Sequence, residues 1–261
     1  MAPLLGDGIF TQDGPKWEHS RKLLAPLILR PPLPSLDLVE RHFQKLLTKI
    51  GTPKLDSPAG VDLKGPLFAF SIDITTEFLL GPMGEAAGDT VEGRKSWNES
   101  FARAFNTAFY WISRRERLKA LYWLIDGREF RSACWDVRAM VDKMIAKASQ
   151  ELKNDPTGDA NREHVALARL LDDDPDLGKL RDQFLNLLLA GRDTSGSLLC
   201  WIFYALPREP TLFQDLKKEA LNILGTGKDR KPTKAELGQM ATLGHFISES
   251  KSSILAKTHP C

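Results

Sequence analysis

Cysteine is scarce in this chain of 261 residues: Cys134, Cys200 and Cys261 are the whole complement. Three thiols so scattered exclude a disulfide framework and a cysteine zinc site, and they favour a reducing compartment. An excess of one charge is lacking too. The net charge is +2, too little to argue for a nucleic-acid partner. One basic cluster stands out, Arg114, Arg115, Arg117 and Lys119. It reads as a solvated helix end, with contact to a membrane surface as the alternative. Met1 to Gly8 has neither the basic flank nor the apolar run of a secretory signal. There is no internal repeat, no heptad seam and no linker that divides the chain. His19, His42, His164 and His245 have no metal-ligand spacing.

What is present is apolar mass in helical pattern. Hydrophobic residues make up 42% of the chain and charged ones 27%, enough for a sizeable core. Pro15 stands where a first helical residue belongs and opens a helix towards Leu27. Pro31, Pro32 and Pro34 form a connector. Ser35 caps a helix over Leu36–Ile50, which Gly51 stops. Pro53 to Gly60 reads as loop, and Val61-Asp62-Leu63 as a short extended piece. Further helices are expected over Pro66–Leu80, Trp97–Ser113, Glu129–Leu152, Arg162–Leu171, Leu177–Leu206, Thr211–Leu224 and Glu236–Ser250, with a small acidic loop from Gly84 to Gly93. The fold class is mainly α.

The stretch Phe184–Leu206 has only two charged residues, Arg192 and Asp193. A helix apolar on every face is expected to be buried. About 20 apolar residues would span a membrane, but these two charges would each cost about 2.5–3.5 kcal/mol there, and Pro207-Arg208-Glu209 ends the stretch as in a soluble helix. The preceding run Asp172-Asp173-Asp174-Pro175-Asp176 suits the positive end of that helix; metal binding is the sharper alternative.

Within the stretch, Ala190-Gly191-Arg192-Asp193-Thr194-Ser195 forms a small polar notch. A buried carboxylate needs a partner or a use, Gly191 weakens the helix, and Thr194 adds a hydroxyl. Asn186, Ala190, Thr194 and Ser197 draw a stripe of small or polar side chains along one face. That stripe suits either a ligand edge or a close helix crossing, with Thr194 bonded back to its own backbone. Far upstream, Trp17 and Arg21 are four apart and share a helix face. Side by side they offer two donors to a carboxylate or phosphate, or simply pack, the arginine stem lying on the ring. Two other motifs lead nowhere: Gly6-x-Gly8 has no βαβ unit around it, and Thr194-Ser195-Gly196-Ser197 lies inside a helix rather than on a nucleophile elbow.

Taken in order, Gly6-Asp7-Gly8-Ile9-Phe10, Asp13-Gly14, Trp17-x-x-x-Arg21 and Ala190-Gly191-Arg192-Asp193-Thr194-Ser195 resemble the cytochrome P450 monooxygenases. Val61-Asp62-Leu63, Asp73 to Gly81 and Ala104-Phe105-Asn106-Thr107-Ala108 are similar to the fungal subgroup that hydroxylates alkanes and long-chain fatty acids. The resemblance implies a haem cofactor, with Trp17 and Arg21 on a propionate and Ala190 and Gly191 lining its distal face. It makes Thr194 and Asp193 the catalytic pair: Thr194 hydrogen-bonds the oxygen being activated and Asp193 delivers protons. It implies dioxygen, an apolar small-molecule substrate, an NADPH-dependent reductase and, for intact members, anchorage in the endoplasmic reticulum membrane. The family's axial cysteine sits in a Phe-x-x-Gly-x-Arg-x-Cys loop that none of the three cysteines occupies. In the expected Glu-x-x-Arg motif Glu249 is matched, but Ser252 replaces the arginine. The expectation is therefore a partial cytochrome P450 domain over residues 1–250, without anchor or amino-terminal sheet, followed by a divergent tail, 251–261. Such a fragment would catalyse poorly or not at all. A non-catalytic helical remnant or binding scaffold without haem is the rival.

Overall fold

The computed structural model describes residues 1–29, 35–51, 61–81, 91–154, 167–168, 170–171, 176–226 and 231–258. Among these, every regular element is helical: α1 (Ala2–Leu5), α2 (Gly14–Leu29), α3 (Leu36–Ile50), α4 (Lys64–Leu80), α5 (Val91–Arg117), α6 (Arg128–Asn154), α7 (Leu177–Ala205), α8 (Pro210–Leu224), α9 (Lys234–Gln239) and α10 (Ala241–Thr258). A 3-10 turn, Lys119–Leu124, follows α5, and another, Leu206–Arg208, follows α7. The mainly α fold class stands. Val61-Asp62-Leu63 joins no strand. The proline connector, the loop from Pro53 to Gly60 and the acidic residues 172–174 lie outside the described residues, as do all but the last residues of the expected helix Arg162–Leu171.

Local chemistry sets the helix ends. The Ser35 hydroxyl accepts from the Leu38 amide and Gly51, at φ 70°, turns the chain out of α3. Asp176 Oδ1 accepts from the amides of Gly178 and Lys179, so this aspartate is a cap on α7. The expected single helix Glu236–Ser250 is two. Thr233 and Glu236 form a capping box that starts α9 earlier, and the chain breaks at Met240 before α10 begins. Glu219, from α8, caps α10, accepting from the amides of Thr242 and Leu243 at 2.8 and 3.1 Å.

The chain forms two compact units, Met1–Leu33 with Thr75–Ala190, and Pro34–Ile74 with Gly191–Cys261. In the first, α5 packs on α6. Phe101, Phe105, Ala108 and Ile112 on α5, and Phe130, Val137, Val141 and Met144 on α6, are buried at the spacing of one helical face. Each buried Phe, Val, Ile or Met side chain contributes about 1.5–3 kcal/mol. Arg115 departs from the expected solvated cluster. It is buried, ion-paired with Asp126 at 3.5 Å, donates to the Ile125 carbonyl and lies over the rings of Tyr122 and Phe130. Only tertiary neighbours distinguish it from Arg114 and Arg117. In the second unit Phe43 meets Phe70 edge-on, and α8 packs on α10.

Candidate functional site

Trp17 and Arg21 lie as the four-residue spacing requires. The Arg21 guanidinium sits 5.1 Å from the centre of the indole ring, and both side chains face solvent, Trp17 at 37% exposure. Stacking and donor display coexist here. The ring orients the guanidinium, and both side chains remain exposed, as donors to an incoming carboxylate must be.

The start of α2 is tied to α7 by a polar clamp. Asp182 Oδ2 accepts from the Asp7 amide at 2.8 Å, Gln183 Oε1 from Ile9 at 3.3 Å and Asn186 Oδ1 from Phe10 at 2.8 Å. Asn186 Nδ2 donates to the Leu5 carbonyl at 3.1 Å. Gln183 Nε2 donates to Ser20 Oγ, which donates to Gln12 Oε1, both at 2.6 Å. Asp182 is also gripped by Arg138 at 3.1 Å and Arg181 at 3.0 Å, so its burial is compensated. Gly6 and Gly8 make this approach possible. A Cβ on Gly6 would lie 2.0 Å from the Asp182 carboxylate, and one on Gly8 2.1 Å from Asn186 Nδ2. Sequence reasoning placed Asn186 in the small-residue stripe but missed Asp182 and Gln183. The signal that could have found them is polar residues at i, i+1 and i+4 in an apolar helix.

Further along α7, Arg192 is buried and pairs with Asp193 at 2.6 Å while lying over Phe68, 5.1 Å from the ring centre. Sequence reasoning did not name Arg192 as that partner. Gly196 meets the same ring, where a Cβ would sit 3.1 Å away. Asp193 is part-buried, and its Oδ2 receives no hydrogen bond among the described residues. Burial raises its pKa above the ordinary carboxylate value, with Arg192 opposing. Ala190 and Gly191 are part-buried and Thr194 is exposed. The expectation that the apolar stretch is buried throughout is corrected. Residues 182–188 are buried, but Thr194, Ser195, Ser197, Phe203 and Tyr204 are exposed, because an apolar face is buried only where another element covers it. Trp17, Arg21 and Ala190 fall in the first unit, and Gly191, Asp193 and Thr194 in the second.

The thiols do not complete a haem site. Cys134 is buried and burial pushes its pKa up to about 11; burial also raises Cys200. Neither is poised as a thiolate, and Cys261 lies outside the described residues. No group of three His, Cys, Asp or Glu among the described residues is arranged to hold a metal ion. No described helix is long and apolar enough to cross a membrane.

The family model of Cytochrome P450 matches residues 2–250. The chain belongs to the cytochrome P450 family. It is 35% identical over 235 residues to Cytochrome P450 52A5 of Candida maltosa, covering 88% of this chain and 44% of that protein. Similarity to Cytochrome P450 52A12 of Debaryomyces hansenii is also 35%, over 233 residues, 87% of this chain and 44% of the relative. The fold matches the crystal structure of the cytochrome P450DA heme domain with a TM-score of 0.67 at 18% identity, covering 95% of this chain and 52% of that one. The chain thus spans about half the length of the relatives it matches. Haem is this family's cofactor. Neither described cysteine is poised as a thiolate ligand for it.

Proposed function

We propose that this chain carries the propionate-holding and oxygen-activating part of a haem monooxygenase acting on apolar substrates such as alkanes or long-chain fatty acids. The observation that carries this reading is the buried Oδ2 of Asp193, which receives no hydrogen bond among the described residues, with Thr194 beside it in sequence. Its neighbours hold Asp193 in place. Arg192 fixes Oδ1, leaving Oδ2 to exchange protons, and burial brings the acid closer to neutral pH, where proton transfer is efficient. The Thr194 hydroxyl, exposed on the same turn, both accepts and donates a proton. Trp17 and Arg21 bind carboxylates by charge-assisted hydrogen bonds, and Ala190 and Gly191 supply a low wall. Haem, when bound, supplies the oxidising chemistry, with dioxygen and electrons from an NADPH-dependent reductase. The intact protein belongs at the endoplasmic reticulum membrane, and residues 1–250 form its partial domain.

Haemin titration of the chain tests this. Binding is expected, with Arg21→Leu weakening it about tenfold or more. Equal binding by wild type and variant would remove the propionate role. The reduced carbon monoxide adduct should lack the thiolate-type Soret band and the chain should turn over poorly, because Cys134 and Cys200 are held as neutral thiols. In a complete enzyme containing these residues, Thr194→Ala should uncouple oxygen consumption from product formation, and unchanged coupling would count against Thr194. The same protonated thiols motivate the second reading, a non-catalytic helical remnant, which complete failure to bind haemin would favour.

A further inference from the structure

We propose that Asp182, Gln183 and Asn186 are positioning residues that set the Trp17–Arg21 pair against the helix bearing Ala190. The inference rests on the propionate role given to that pair above. These three side chains occupy one turn of α7, immediately before the turn that reaches Ala190. All are buried, and their polar atoms point at the segment that leads into α2. They take up the amides of Asp7, Ile9 and Phe10 and the carbonyl of Leu5, so the backbone of that segment is held at successive points rather than one.

The second connection is direct. Ser20 lies between Trp17 and Arg21 in sequence, is buried, and is bridged to α7 by Gln183 and back to the incoming loop by Gln12. The loop alone would fix where α2 starts. Ser20 adds a constraint on its rotation, because a helix held by a side chain nearly two turns in cannot roll without breaking that bond. Rotation is the quantity that decides where Trp17 and Arg21 point, since each residue turns the helix face by about 100°. Gly6 and Gly8 press the loop so close to Asp182 and Asn186 that sliding along α7 is also blocked. A general packing role would need none of this directional bonding.

The test uses the whole chain labelled with 5-fluorotryptophan, its six resonances (Trp17, Trp97, Trp111, Trp123, Trp135, Trp201) assigned by single Trp→Phe substitutions. Asn186→Ala and Ser20→Ala should each shift the Trp17 fluorine resonance and leave the other five in place. Asn186→Ala should also speed exchange of the Phe10 amide by about tenfold or more. An unmoved Trp17 resonance beside faster Phe10 exchange would overturn the inference, because the clamp would then hold the loop without setting the pair. Should Asn186→Ala unfold the chain and move all six signals, Ser20→Ala decides alone: a selective Trp17 shift upholds the proposal, and no shift or a shift of every tryptophan overturns it. Haemin added to the wild type should move the Trp17 signal. If it does not, the propionate reading fails, and this inference with it. If it does while neither variant displaces the signal, only the positioning role is lost.

Discussion

The two halves of α7 have similar apolar content and opposite environments. From Asp182 to Leu188 every residue is buried, and each polar side chain among them is hydrogen-bonded to a named partner. Beyond Gly191, Phe203 and Tyr204 face solvent, and the carboxylate of Asp193 keeps one buried oxygen without a hydrogen bond among the described residues. Satisfied polar groups in a core fix geometry, whereas an unsatisfied one costs stability. Composition alone cannot separate these cases, because burial belongs to the neighbours as much as to the helix.

The contrast can be broken most forcefully at its aromatic residues. Phe184, fully buried, should lose about 3–5 kcal/mol on replacement by Ala, whereas Phe203→Ala at 48% exposure should cost less than about 1 kcal/mol; urea unfolding midpoints compare them. Comparable losses would mean that the two halves are equally packed. Next come the acids. Asp182→Asn strips Arg138 and Arg181 of their shared partner and should cost about 2–3 kcal/mol. Asp193→Asn should cost less than Asp182→Asn, because it removes one ion pair and a carboxylate whose charged form burial already disfavours.

A buried group away from α7 sharpens the same point by titration. The Cys134 thiol is raised from 9.0 to about 11 by burial. The unfolded chain therefore releases that proton first as pH rises, and stability falls between about pH 9 and 11, by roughly 2–3 kcal/mol. Below pH 9 the thiol is neutral in both states and makes no difference. Cys134→Ala should flatten that part of the pH–stability curve relative to wild type, and parallel curves would contradict it. The smallest effect belongs to Thr194→Ala. With its side chain exposed, thermal unfolding should register a change within about 0.5 kcal/mol, which would separate a role in chemistry from one in folding.

Where local chemistry decides, the sequence was readable. Ser35 and Gly51 delimit α3 from Leu36 to Ile50 as expected, and the spacing of Trp17 and Arg21 was enough to place them side by side. The helix expected over Glu236–Ser250 proves to be two, because the capping box of Thr233 and Glu236 starts one earlier and the chain breaks at Met240. What stayed hidden depends on distant partners. Glu219 caps a helix from 23 residues away. Arg115 is buried because Tyr122 and Phe130 fold over it. Asp182 and Asn186 look like interruptions of an apolar run until the loop carrying Gly6 and Gly8 is laid on them.

That loop carries an evolutionary consequence. Position 8 and position 186 share a single small volume, as do positions 6 and 182. A methyl group gained on one side can be accommodated only if atoms are surrendered on the other. Across sequences that keep this arrangement, positions 8 and 186 should therefore drift as a coupled pair, and a lone alanine at 8 should be found only beside a trimmed residue on the helix, whereas position 6, at φ 65°, stays glycine whatever stands opposite.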